Sequence, residues 1–255
     1  MRVVCMVPSW TETLLACGVN VVGRTRYCIH PAEQVADIVV VGGTKDVQWE
    51  KVAPLAPDLV IFDKEENTRD MAQSCPYPYI ATHAESVQDM PRALRLLAQQ
   101  LNNGVLITLA ARFQRVLNNL VPISPTTLPS ALPLISHKDA VSESVLSDDR
   151  PWLYLIWRKP YMSIGQHTFI YSVFKHLGFG HKLLAFDANY PELSPEEITG
   201  LNPILLCSTE PYPFAKQLAV TQQDLQQPAV LIDGEPLCWY GIRCLRFLES
   251  LKPTL

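Results

Sequence analysis

From Ser86 to Leu120, apolar residues return every three or four positions: Met90, Leu94, Leu97, Leu101, Val105, Leu109, Phe113, Val116 and Leu120. That spacing lays them along one face of a helix. It is the longest helical pattern in the chain. Ser86 or Asp89 can cap its start, and Pro91 suits a first turn. Asn102-Asn103-Gly104 breaks the run, which predicts one helix before that point and one after it. Short apolar strand-like runs alternate with short helical patterns on either side. A long helix between two such halves predicts a stiff connector between two α/β lobes. The competing reading is a pair of core helices inside one domain.

The first half reads as strands at Val3–Val7, Val21-Val22, Val39–Val41, Leu59–Phe62 and Tyr79–Ala81. Ser9-Trp10-Thr11-Glu12 fits a capping box, with Ser9 as the cap and Glu12 reaching back. Gly18 ends that helix. Strand–helix alternation implies a mainly parallel sheet with helices on its faces. Ligands of such sheets sit at the carboxyl ends of the strands. That rule points to the loops Pro8–Trp10, Arg24–His30, Gly42–Lys45, Asp63–Glu66 and Thr82–His83. In the second half, strands are expected at Leu153–Trp157, Lys182–Phe186, Ile204–Cys207 and Val230–Ile232. Helices are expected at Thr168–Leu177 and Gly241–Leu251. Trp49–Phe62 is echoed by Ser194–Cys207, each a short helix, a turn and a buried strand, which sets Glu65 opposite Glu210. The expected organisation is an N-terminal α/β lobe over 1–85 and a helical segment over 86–120. An irregular Pro/Ser-rich connection over 121–150 and a C-terminal α/β lobe over 151–255 complete it.

The chain has 255 residues, room for one large domain or two small ones. Its net charge of −4, with no basic block, argues against nucleic acid as a partner. No apolar run reaches the length of a membrane span. Met1–Pro8 is too short for a signal-peptide core, so the expected compartment is the cytoplasm. Seven cysteines lack paired metal-type spacing, and Cys5, Cys17, Cys207 and Cys244 lie in apolar patterns as reduced core residues.

Pro8 with Thr11-Glu12, Gly18, Val22-Gly23, Pro31, Glu50 and Pro57-Asp58-Leu59-Val60 resemble the helical-backbone class of periplasmic binding proteins. The Gly165–Gly178 region and Arg243 add to the likeness, which covers nearly the whole chain apart from Val121–Arg150. It looks closest to the vitamin B12-binding branch. The resemblance implies two Rossmann-like lobes with parallel sheets, joined by a long backbone helix, with the ligand in the cleft between the lobes. It implies a non-enzymatic binding protein for a metal chelate or corrinoid (cobalamin-, haem- or siderophore-like), with no cofactor required. Relatives are usually periplasmic or lipid-anchored and feed an importer, docking through a glutamate on each lobe. The likeness sets Arg69, beside Asp70, where the first docking glutamate stands. Docking through that pair is therefore not expected. An aromatic of the B12 pocket falls on Thr44.

Trp10, Tyr27, Trp157, Tyr161, Trp239 and Tyr240 fall near strand-end loops, where flat aromatics can grip a corrin or porphyrin. Lys45 and Arg158 can bind ligand carboxylates or phosphate. Glu65 and Glu210 are further cleft candidates. Cys28 and His30, two apart, face the same way in an extended segment, and with His83 they suit a transition metal. Two alternatives stay open. One is a direct metal-ion receptor using Cys, His and Glu ligands; the other is a cleft enzyme built on Cys28 and His30.

Overall fold

The computed structural model describes residues 1–119 and 131–251. They form two compact units: the first holds Met1–Ala84, Gln88–Asn118 and Trp239–Arg246, and the second holds the other described residues.

In the first unit, strands β1 (Arg2–Cys5), β2 (Asn20–Thr25), β3 (Val39–Gly42), β4 (Leu59–Asp63) and β5 (Tyr79–Thr82) make one sheet. Their order is β3-β2-β1-β4-β5 and every pairing is parallel. β1 and β4 sit inside this order because they are continuous apolar runs, buried on both faces. Val4, Met6, Val41, Val60 and Phe62 pack with Val52 and Met71 in one core cluster. Burying each such side chain is worth about 1.5–3 kcal/mol. The chain winds outward from β1 through β2 to β3, then returns to start β4 on the other side of β1. The topological switch point therefore lies between β1 and β4, where sheets of this kind open a crevice at their carboxyl edge.

The helix after β1 runs Pro8–Ala16 with Val7 at its N-cap and no side-chain cap. The expected capping box on Ser9 does not form, because the Glu12 carboxylate is engaged by Arg243. Gly18 follows the helix at φ +72°, a left-handed turn that a residue without Cβ takes at little cost.

The central pattern is two helices, Met90–Leu101 and Gly104–Asn119. Asn102 ends the first in the left-handed conformation. Asn103 caps the second: its Oδ1 accepts from the backbone N–H of Val105 at 2.9 Å and of Leu106 at 3.0 Å. The break resets the helical phase. Leu106, not Val105, joins Leu109 and Phe113 on the buried face, while Val105 is 55% exposed. Leu120 lies outside the described residues.

In the second unit, β6 (Leu134–Ile135), β7 (Trp152–Arg158), β8 (Tyr161–Ser163), β9 (Glu192–Leu193), β10 (Ile204–Ser208) and β11 (Ala229–Ile232) form a sheet in the order β6-β11-β10-β7-β8-β9. β7, β10 and β11 pair in parallel, while β6, β8 and β9 pair antiparallel. This sheet is mixed because Lys159-Pro160 joins β7 to β8, and so short a link can only connect antiparallel strands. The neighbours β7-β10-β11 repeat the arrangement β1-β4-β5, as the internal repeat predicts. Lys182–Phe186 is not a full strand but a single bridge of Leu183 to Trp152. Within the expected irregular connection, residues 121–130 lie outside the described residues. The rest carries β6 and a 3-10 turn at Glu143–Ser147. Ser194 and Glu197 do form a reciprocal capping box at the start of the helix Pro195–Leu201.

Trp239–Arg246, which the sequence groups with the second half, belongs to the first unit. Tyr240, Ile242 and Arg243 bond Asp63, Thr13 and Glu12 there. Among the described residues, no helix is long and apolar enough to cross a membrane.

Candidate functional site

The first unit gathers its chemistry at the carboxyl edge of its sheet. Asp63 ends β4 and Thr82 ends β5, and both are 1% exposed. The Thr82 hydroxyl donates to Asp63 Oδ2 at 2.6 Å and accepts from Trp10 Nε1 at 2.8 Å. Asp63 Oδ1 accepts from the Glu65 N–H at 2.9 Å and from the Tyr240 hydroxyl at 3.3 Å. The Trp10 and Tyr240 rings lie 5.7 Å apart. A buried carboxylate is costly unless donors surround it, and this chain of donors supplies them. Asn67 ties the edge together: its amide donates to Met6 O at 3.0 Å and Thr44 O at 2.9 Å, and its Oδ1 accepts from Asp63 N. Trp10 and Tyr240 thus form a buried layer beneath the edge.

The loop after β2 turns sharply at Arg26–Tyr27, with the Cys28 N–H bonded to Thr25 O at 3.2 Å. The turn comes just before Cys28, and from there burial alternates: Cys28 buried, Ile29 exposed, His30 half-buried. Cys28 is fully buried, its Sγ 3.1 Å from the hydroxyls of Thr11 and Thr25. Burial pushes its thiol pKa up, against the pull of both hydroxyls. Tyr27 and Ile29 stay about half exposed, at 52% and 49%. The His30 ring meets Trp239 edge-on, with centroids 5.2 Å apart. On the same indole sits the Arg243 guanidinium, 5.1 Å from the ring centroid. Arg243 is fixed in turn by Glu12. Among the described residues, no group of three or more His, Cys, Asp or Glu could hold a metal ion, so Cys28, His30 and His83 do not form a shared ligand set.

Lys45 donates to Glu65 O at 2.9 Å across neighbouring strand-end loops. Glu66, beside them, has its carboxyl pKa raised by burial, with Lys45 opposing.

In the second unit, Trp157 is 39% exposed at the end of β7 and its ring packs 5.2 Å from Tyr212. Arg158 and Tyr161 are held apart from it, both on Asp224 Oδ2. They line a shallow cavity of about 530 Å³ with Glu192 and Ser194. Glu210 follows β10, its N–H and C=O both bonded to the Ser208 hydroxyl. Of the sequence candidates, Trp10 and Tyr240 come together, as do His30 and Trp239, and Arg158 and Tyr161. Asp63 and Thr82 fall in the strand-end loops the sequence points to, and Glu12 and Arg243 among the residues of the resemblance, but the pairing of Glu12 with Arg243 and of Asp63 with Tyr240 was missed, since those partners lie far apart in the chain.

Residues 3–103 match the family model described as periplasmic binding protein. No curated protein matches the chain. Solved structures share its fold. The periplasmic vitamin B12 binding protein BtuF of Vibrio cholerae is 19% identical, with a TM-score of 0.68 over 98% of this chain and 94% of that one. A periplasmic heme binding protein from Pseudomonas aeruginosa is 18% identical, with a TM-score of 0.71 over 99% and 93%. The periplasmic heme-binding protein RhuT from Roseiflexus sp. RS-1 is 19% identical, with a TM-score of 0.67 over 98% and 95%. These names are periplasmic, and they lend no support to the cytoplasmic expectation. The family model thus matches residues 3–103, and these solved structures share the fold over nearly the whole chain.

Proposed function

We propose that the chain is a non-enzymatic binding protein for a metal chelate or corrinoid, cobalamin-, haem- or siderophore-like, captured at the carboxyl edge of the first unit. One observation carries this reading: Trp239 meets both His30 and Arg243, in a cluster whose loop leaves Tyr27 and Ile29 half exposed. A flat aromatic surface beside an imidazole suits a conjugated ring carrying a metal. Neighbours named for B12 and heme support the ligand class. Burial keeps the Cys28 thiol protonated, which counts against a nucleophile there. The direct metal-ion reading loses ground because Cys28 is bonded inward to two hydroxyls while His30 lies against Trp239.

The proposal includes no importer docking through the usual pair of glutamates. Arg69 and Asp70 are both exposed on the helix Arg69–Gln73, so a like-charged importer surface would meet Arg69 first. Cell fractionation decides between the cytoplasm and the periplasm.

The test is absorbance titration of the purified protein with hemin and with cyanocobalamin. One of the two is expected to shift its visible band on binding. His30→Ala and Trp239→Ala are each expected to weaken that binding by about tenfold or more, equivalent to about 1.4 kcal/mol. No band shift with either compound, or full binding by both variants, overturns the reading.

A further inference from the structure

Three strands and two helices of the second unit put both signs of charge around one cavity. β7 ends at Arg158, and the short link through Lys159-Pro160 pairs Arg158 with Tyr161 at the start of β8. β8 pairs in turn with β9, which sets Leu193 opposite Tyr161. Asp224 comes from the last turn of the helix Leu218–Leu225. Arg158, Tyr161, Glu192, Leu193, Pro195 and Asp224 line the cavity of about 530 Å³.

The Arg158 side chain is only 10% exposed, yet its charge is poorly matched inside the protein. Nη2 reaches Asp224 Oδ2 at 3.4 Å, and that oxygen already accepts the Tyr161 hydroxyl. Nε is buried and meets no hydrogen-bond partner among the described residues. On Arg243 the same edge of the guanidinium, Nε with Nη2, grips both oxygens of Glu12 at 2.8 and 2.9 Å. Arg158 therefore holds a fork with one long bond and one empty arm. A buried N–H without an acceptor is costly, and a carboxylate is the acceptor whose shape fits that fork.

We propose that this cavity binds a free α-amino acid with an apolar side chain. The ligand carboxylate takes the Nε–Nη2 edge of Arg158. The ligand ammonium goes to Asp224, whose side chain is 45% exposed. One carbon carries both ligand groups, which suits a guanidinium and a carboxylate that already meet. The ligand side chain lies against Pro160, Leu193 and Pro195. Charge selects the zwitterion: Arg158 and Lys159 balance Glu192 and Asp224 in the lining, so a simple anion or cation meets as much repulsion as attraction. The chelate reading above concerns the first unit and plays no part here.

Isothermal titration calorimetry with L-leucine tests it. Two analogues run beside it: 4-methylpentanoate, which lacks the ammonium, and 3-methylbutylamine, which lacks the carboxylate. Leucine is expected to bind, and each analogue to bind weaker by about tenfold or more. Arg158→Lys keeps the charge but not the fork, and is expected to weaken leucine about tenfold. Asp224→Asn is expected to weaken leucine about tenfold while 4-methylpentanoate binds as well as before or better. Melting temperatures establish that both variants fold; should either unfold, the analogue series on the wild type decides alone. The proposal fails if leucine gives no binding heat at about 10 mM. It also fails if either analogue binds as tightly as leucine, or if folded R158K binds leucine as well as wild type.

Discussion

Arg243 closes a two-bond clamp on Glu12: Nε donates to Oε2 at 2.8 Å and Nη2 to Oε1 at 2.9 Å. The Glu12 side chain is only 5% exposed and that of Arg243 22%. A buried carboxylate that loses its cation is strongly destabilising. Arg243→Met leaves Glu12 with only the exposed Arg246, whose Nη1 lies 3.9 Å from Oε1, and is expected to cost about 3 kcal/mol in urea unfolding. Arg243→Lys should recover only part of this, because an ammonium cannot make the fork. The double variant E12Q/R243M should be more stable than R243M alone. If it is less stable, the cost lies in lost packing and not in the stranded charge.

The chain Trp10–Thr82–Asp63–Tyr240 predicts graded losses. Tyr240→Phe removes one hydrogen bond and is expected to cost about 0.5–1.5 kcal/mol. Thr82→Val removes a donor to Asp63 and the acceptor of Trp10, and should cost about 2–3 kcal/mol. A double-mutant cycle between the two should show coupling through Asp63. Strict additivity would mean that the groups do not act as one network.

Alkaline pH should destabilise the protein. Burial raises the thiol pKa of Cys5 and of Cys244 from the ordinary 9.0 to about 12, and raises Cys207 further. Above pH 9 the unfolded chain loses these protons while the folded one keeps them. The unfolded state then binds fewer protons, so stability falls as pH rises. Their stabilising contribution is complete below pH 9 and is lost progressively towards pH 12. Melting temperature measured across that window should drop, and Cys244→Ala should drop less steeply.

Gly241 sits at φ +73°, and a Cβ there would stand 2.2 Å from Thr13 Oγ1. Gly241→Ala combines a left-handed strain with a clash, and is expected to cost at least about 1–3 kcal/mol. Because Gly241 lies between Tyr240 and the Ile242 N–H bonded to Thr13, the change should also alter the fluorescence of Trp10 and Trp239. An unchanged spectrum with unchanged stability would falsify the close approach.

The sheet strands were legible wherever continuous apolar runs met turn residues, as at Val3–Val7 and Leu59–Phe62. The helix break was legible in Asn102-Asn103-Gly104, because each residue acts on backbone within a turn of itself. The internal repeat was legible and reappears as β1-β4-β5 and β7-β10-β11. What failed had non-local causes. Glu12 matched a local capping pattern, but a partner 231 residues away took its carboxylate. Cys28 was read as a candidate ligand, but two hydroxyls far apart in the sequence, on Thr11 and Thr25, hold its thiol in the interior. The antiparallel edge strands β8 and β9 are too short to announce themselves by periodicity.

The placement of Trp239–Arg246 has a consequence for synthesis. β1 through β5 leave the ribosome well before Trp239–Arg246, so Glu12 and Asp63 wait for Arg243 and Tyr240. At about 5–20 residues per second, the 231 residues between Glu12 and Arg243 take on the order of 10–50 s to make. Through that interval the nascent first unit carries a carboxylate without its guanidinium and an indole layer without its tyrosine lid. A chain stalled before Trp239 presents to the quality-control machinery a sheet that is fully wound but open at its carboxyl edge.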